Sequence, residues 1–225
     1  MLPPQEFPAA ADRILTLLDE SDRYLAALHA PGIDEVRAAF SQWRHGPITP
    51  APRPNAVIDA HLPAALASLT RTHPALASAI HAAAPDLGWI TYDRYPTDQI
   101  GPDFGQNHAF VTLIGSAGHL RAPDFDFGLF LIAPHILYRD HHHAAPELYA
   151  PLTGPHGWRF HPDGPLTLKP AHVPVWNPTN QPHLTKVGPT PFLCLYGWTR
   201  DTDSPAHVIP ASDWAALEAL RLEDA

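Results

Sequence analysis

The sequence predicts a mainly β fold with α-helical content: an antiparallel β-barrel or jelly roll of two sheets, preceded by an N-terminal helical lobe. Three observations carry that expectation. Over the first 85 residues apolar side chains recur every three or four positions, the period of an amphipathic helix. From Trp89 onward short apolar runs alternate with Gly, Pro, Asp and Asn, the texture of short strands joined by turns. The 28 prolines among 225 residues favour many short elements over a few long helices.

Residues 9–30 bring Ile14, Leu17, Leu18, Leu25 and Leu28 to one helical face, and 33–43 does the same for Ile33, Val36, Phe40 and Trp43. Pro47 to Pro54 reads as a Pro-rich connector. Helices are expected over 57–70 and 74–83, the second with Pro74 in its first turn, where a missing N–H is harmless. Strands are expected at 89–92, 109–115, 127–133, 136–142, 147–152, 157–161, 166–169, 173–177, 182–187 and 191–198. A terminal helix is expected from Asp213 to Leu222, with Ser212 as its cap. The chain then divides into a helical lobe, 1–85, packed on a barrel, 86–225, which carries the candidate site and ends in the short helix.

A length of 225 residues suits one domain with a core of useful size. The formal charge of −9 and the scatter of basic residues argue against a nucleic-acid partner. No apolar stretch approaches the roughly 18–20 residues that span a bilayer. The N-terminus, Met-Leu-Pro-Pro-Gln-Glu-Phe, has no basic segment followed by an apolar one, so a cytoplasmic location is expected. Cys194 is the sole cysteine and lies in the apolar run Phe192 to Tyr196, as a buried small hydrophobe would.

Residues 138–154 carry the chemistry: Tyr-Arg-Asp-His-His-His-Ala-Ala-Pro-Glu-Leu-Tyr-Ala-Pro-Leu-Thr-Gly. On a strand, positions two apart share a face, so His141 and His143 aim together, and after Pro146 so do Glu147 and Tyr149. Two imidazoles and a carboxylate on one ribbon suit a borderline divalent metal. A fourth protein ligand is wanted from a neighbouring strand. His183 is the best candidate, because Pro178-Thr179-Asn180-Gln181-Pro182 forms a tight turn that presents it at a strand start. His142 points to the opposite face, and His108, His135, His156, His161 and His172 lack partners at strand spacing.

His141-x-His143-x3-Glu147 with its following Gly resembles the first cupin motif, and Pro178-x-Asn180-x2-His183 resembles the second, with Asn in place of the usual Gly and no trailing Asn. The longer pattern, Tyr138-x2-His141-x-His143-x-Ala145-x-Glu147-x-Tyr149-x2-Leu152-x-Gly154, is similar to the signature of cupin-type dimethylsulfoniopropionate (DMSP) lyases, and the helical extension is similar to their longer, DddL-like members. Gly128 to Pro134 before the motif and Leu195-Tyr196-Gly197-Trp198 after it agree, while Arg200 stands where the family would have Gly.

The resemblance implies a cupin-type barrel and a metal-dependent carbon–sulfur lyase cleaving DMSP to dimethyl sulfide and acrylate. His141, His143, Glu147 and His183 would hold one divalent transition metal, with Zn, Fe, Mn, Co and Ni all compatible. Tyr149 would be the general base and Tyr138 its assistant. Trp176, Trp198 and Tyr196 would wall the sulfonium end, since a cation without donors suits aromatic faces. The expected partner is a small-molecule carboxylate, with no nucleic acid or membrane, and a homodimer is left open. Two other readings keep the barrel: a metal-dependent dioxygenase or isomerase acting on a small carboxylate, and a non-catalytic small-ligand-binding cupin.

Overall fold

A computed structural model describes residues 9–93 and 95–222. Four helices come first: α1 (Ala10–Ala26), α2 (Ile33–Trp43), α3 (Ala56–Thr70) and α4 (Pro74–Ala83), followed by a 3-10 turn at Ala84–Asp86. The starts of α2, α3 and α4 have local causes. Gly32 takes a left-handed conformation (φ 81°) immediately before α2. The Asn55 side chain accepts from the backbone N–H groups of Val57 and Ile58 and so caps α3. Pro74 opens α4. Two short helices, α5 (Thr97–Ile100) and α6 (Pro102–Gln106), lead into the sheets.

Eleven strands follow among the described residues: β1 (His108–Gly115), β2 (Leu120–Arg121), β3 (Asp126–Ile132), β4 (Leu137–His142), β5 (Glu147–Pro151), β6 (His156–Arg159), β7 (Thr167–Lys169), β8 (Val175–Asn177), β9 (His183–Lys186), β10 (Phe192–Trp198) and β11 (His207–Val208). Helix α7 (Trp214–Ala219) closes the chain. They form a six-stranded sheet, β2-β1-β3-β10-β5-β8, and a five-stranded sheet, β11-β4-β9-β6-β7. All pairings are antiparallel except β1 with β2.

The larger sheet is buried on both faces, which explains why β3 reads as the near-continuous apolar run Asp-Phe-Gly-Leu-Phe-Leu-Ile. Phe127, Leu129 and Leu131 join Leu17, Leu18, Val36, Phe40 and Leu69 in a core between sheet and helices. Phe130 and Ile132, on the other face, join Tyr138, Tyr149, Trp158 and Phe192 inside the barrel. The helices thus act as the outer layer of a sheet whose inner face lines the candidate site. The mainly β architecture with helices matches the expectation from sequence.

Three local expectations need correction. Residues 89–92 form no strand; only Ile90 pairs, in an isolated bridge with Phe110. Residues 97–106, where the sequence predicts no element, hold α5 and α6. The last helix starts one residue later than expected, at Trp214, and Ser212 does not cap it: the Ser212 hydroxyl donates to Asp163 instead. Among the described residues no helix is long and apolar enough to cross a membrane.

Candidate active site

His141 lies on β4 and His183 directly opposite it on β9, the two being register partners with ring centroids 4.0 Å apart. His143 follows β4 in the turn to β5, where Glu147 opens the strand. Asn180 supplies the left-handed turn before His183 (φ 59°), and its N–H donates to the His143 carbonyl at 2.9 Å. The turn therefore ties His183 to the ribbon bearing the other two histidines. The three rings present nitrogens that all lie within 4.8 Å of one another, and all three residues are buried.

Backbone carbonyls fix the ring tautomers. Nδ1 of His141 sits 2.8 Å from Arg139 O, that of His143 2.7 Å from Ala145 O, and that of His183 2.9 Å from Gln181 O. A carbonyl only accepts, so each Nδ1 carries a proton and each ring turns its Nε2 inward. The Nε2 atoms of His141 and His183 are buried without a hydrogen-bond partner among the described residues. Burial, and then the neighbouring His183 and His143, push the His141 imidazolium well below its usual range, which keeps its Nε2 lone pair free.

Glu147 completes the set, its Oε2 lying 3.1 Å from His143 Nε2 and 3.3 Å from His183 Nε2. Burial alone would push this carboxyl up, but His143 and His183 hold it well below the usual carboxylate range. Three inward Nε2 atoms and an ionised carboxylate converging in a dry site need positive charge among them, as protons on the rings or as a metal ion. The residues therefore fit a bound metal ion, and three imidazoles with one carboxylate suit a borderline divalent transition metal.

Polar and aromatic neighbours hold these groups from behind. Trp198 Nε1 donates to Glu147 Oε1 at 2.7 Å, and its ring stacks on His143 with centroids 4.4 Å apart. Tyr138 stacks between Phe104 (4.0 Å) and His141 (3.9 Å), and its hydroxyl meets that of Tyr95 at 2.6 Å. On the outer face of β4, Asp140 accepts two bonds from Arg159, at 2.8 and 2.5 Å, and one from Trp214 Nε1 at 2.8 Å. The C-terminal helix thereby clamps the strand that carries His141.

A cavity of about 190 Å3 opens beside Glu147, with Tyr149, Tyr138, Tyr196 and Trp198 in its walls. Pockets for drug-sized ligands are typically ~300–1,000 Å3, so this one suits a smaller molecule. Tyr149 lies on the Glu147 face of β5, and burial, then the Glu147 charge, push its phenol well above the usual range.

The structure gathers His141, His143, His183 and Glu147 in one cluster, with Tyr138, Tyr149, Tyr196 and Trp198 around the cavity. Trp176 is the exception and is corrected here: it packs against the helix-side core and over Gly32, away from the cavity. Its strand neighbour Val175 pairs with Tyr149 and faces the barrel, so alternation turns Trp176 outward. Sequence reasoning missed Tyr92, Tyr95, Phe104, Phe110 and Asp126, which also line the cavity. Tyr92 falls in the expected strand 89–92 that does not form, and Tyr95 and Phe104 lie in the aperiodic stretch before β1, where no spacing marks them.

No curated protein matches by sequence. Among solved structures, one described for the DMSP lyases RdDddP and RnDddQII shares 23% identity over 90% of this chain and 100% of that chain, with a TM-score of 0.64. The DMSP lyase DddQ from Ruegeria pomeroyi DSS-3 shares 22% over 88% of this chain and 96% of that one, with a TM-score of 0.59. These likenesses show the fold, and they do not single out the longer, DddL-like form. The sequence profile for dimethylsulfoniopropionate lyase matches residues 44–194, well over half of the chain and a span that includes the histidine cluster, Glu147 and Tyr149. The chain therefore belongs to the DMSP lyase family of carbon–sulfur lyases.

Proposed function

We propose that the protein is a metal-dependent lyase that cleaves DMSP by β-elimination to dimethyl sulfide and acrylate, with Tyr149 as the general base. The observation that carries this reading is the convergence of three backbone-pinned histidines and Glu147 beside an aromatic cavity that also contains Tyr149. A divalent metal held by His141, His143, His183 and Glu147 would supply the positive charge that binds the substrate carboxylate, offsets Glu147 and favours the Tyr149 phenolate.

The residues of the chain then divide the work. Tyr149 takes the proton from the carbon next to the carboxylate. The electron pair of that C–H bond becomes the second bond of the alkene, and the C–S pair leaves with sulfur as neutral dimethyl sulfide. Tyr138, fixed by its stack on His141 and its bond to Tyr95, orients the carboxylate. Tyr196 and Trp198 offer aromatic faces to the sulfonium.

Replacing the base tests this assignment. Tyr149→Phe should keep its metal content and lose two or more orders of magnitude in kcat, the scale of about 10²–10⁴ for a general base. Near-native turnover in a metal-loaded variant would remove Tyr149 from that role.

A further inference from the structure

One carboxylate in the cavity wall has no part in the mechanism above. Asp126 opens β3 and lines the cavity. Its Oδ1 is buried without a hydrogen-bond partner among the described residues, and the carboxylate is supported by the Ser116 N–H. An ionisable oxygen left unpaired in such a place is costly to the fold and needs a reason.

The sheet register supplies one. Asp126 pairs with Trp198, and Trp198 pairs with Glu147, so the three side chains stand in one row on the inner face. Two strand spacings of about 4.8 Å set Asp126 about 10 Å from Glu147 along that row. At one end is the histidine cluster, built for an anion held through a metal; at the other is a carboxylate supported by the Ser116 N–H and with no ion-pair partner among the described residues. Gly128, the next position of that alternation on β3 and the register partner of Tyr196, packs directly on the Val111 backbone, which a Cβ there would strike. Asp203 adds a second, exposed carboxylate at the mouth. In DMSP two methylenes separate carboxylate from sulfonium, on the order of 5 Å by ordinary bond lengths. A substrate anchored by its carboxylate at the Glu147 end thus projects its positive charge along the row, over Trp198, toward Asp126.

We propose that Asp126, seconded by Asp203, is the specificity-determining carboxylate of this pocket and selects substrates with a cationic end over neutral isosteres. The inference rests on the reading of the cavity as the DMSP site, and it adds a direct charge contact to the aromatic walls. Burial, followed by the Asp203 and Asp124 charges, raises the Asp126 carboxyl to about 6 when no cation faces it. A bound sulfonium relieves that repulsion.

The test is calorimetric binding to metal-reconstituted protein of two unreactive ligands: β-alanine betaine, which carries a quaternary ammonium, and isocaproate, a neutral isostere of DMSP. Wild type should prefer the betaine by roughly tenfold or more, the scale of one partly screened charge pair. Asp126→Asn should lose most of that preference while binding isocaproate as before, and Asp203→Asn, an exposed change that leaves the fold intact, should lose a smaller part. A wild type blind to charge, an Asp126→Asn that weakens both ligands equally, or unchanged preferences in both variants would overturn the proposal. Dimethyl sulfide release from DMSP is scored separately. A charge preference that depends on Asp126 without cleavage would keep the subsite and discard the lyase reading; cleavage without such a preference would do the reverse.

Discussion

Trp198→Phe probes the link between the aromatic wall and the ligand cluster. The indole N–H donates to Glu147 Oε1 at 2.7 Å, and Glu147 is only 3% exposed. Phenylalanine keeps a ring near His143 but removes that donor, so one oxygen of a buried carboxylate loses its partner. A hydrogen bond to a charged group is worth about 1.5–3 kcal/mol, a ceiling of about 10–150-fold in an equilibrium constant. The metal-free protein keeps His143 and His183 beside the other oxygen of Glu147, whereas in the metal-bound form the lost donor also frees the orientation of a carboxylate that must act as ligand. The expected result is a metal dissociation constant raised about 10–100-fold, the usual scale for groups that orient a ligand. Competition with a chromophoric chelator measures it, with thermal unfolding of the metal-free protein run alongside. An unchanged affinity in a folded variant would refute the argument and leave this bond a purely structural one.

His183→Ala should lower bound metal well below one equivalent in elemental analysis; a full equivalent would take His183 out of the ligand set. Arg159→Met strands Asp140, which is 0% exposed, and should destabilise the fold by about 3–5 kcal/mol in urea unfolding; a loss below about 1 kcal/mol would mean that Trp214 alone satisfies Asp140. Acid should weaken the fold through its buried neutral histidines. Burial lowers His108 to about 4 and His156 to about 3, so below the unfolded value of about 6.5 the unfolded chain binds more protons. Stability is then fully present above about pH 6.5 and falls by about 2 kcal/mol per histidine by pH 5. Urea unfolding of His156→Asn should show a shallower pH slope than wild type, and an identical slope would contradict the assignment.

Much of the cluster was legible because strand alternation is a strong geometric rule. His141-x-His143 and Glu147-x-Tyr149 need only a period of two to share a face, and Asn180 marks the turn before His183 through its tolerance of positive φ. The helices were legible from the three-to-four spacing of Leu17, Leu25, Val36 and Phe40, with Asn55 and Pro74 at their starts. Trp176 was misplaced through neglect of the same alternation, since Val175 and Asn177 flank it on the inward face of β8. Tyr95 and Phe104 could not be read at all. They sit in or beside helices of four and five residues, too short for any hydrophobic period, and tertiary packing, against Tyr138 and His108 among others, brings them to the cavity. Strands β2 and β11, of two residues each, escape for the same reason.

The most direct measurement is headspace dimethyl sulfide from purified protein given DMSP, with separate metal reconstitutions, a chelated control and acrylate quantified in the same vials. Metal-dependent release of dimethyl sulfide and acrylate in equal amounts is the expected result, and it would name the working metal as well. Protein shown to carry metal that releases neither product would contradict the central claim.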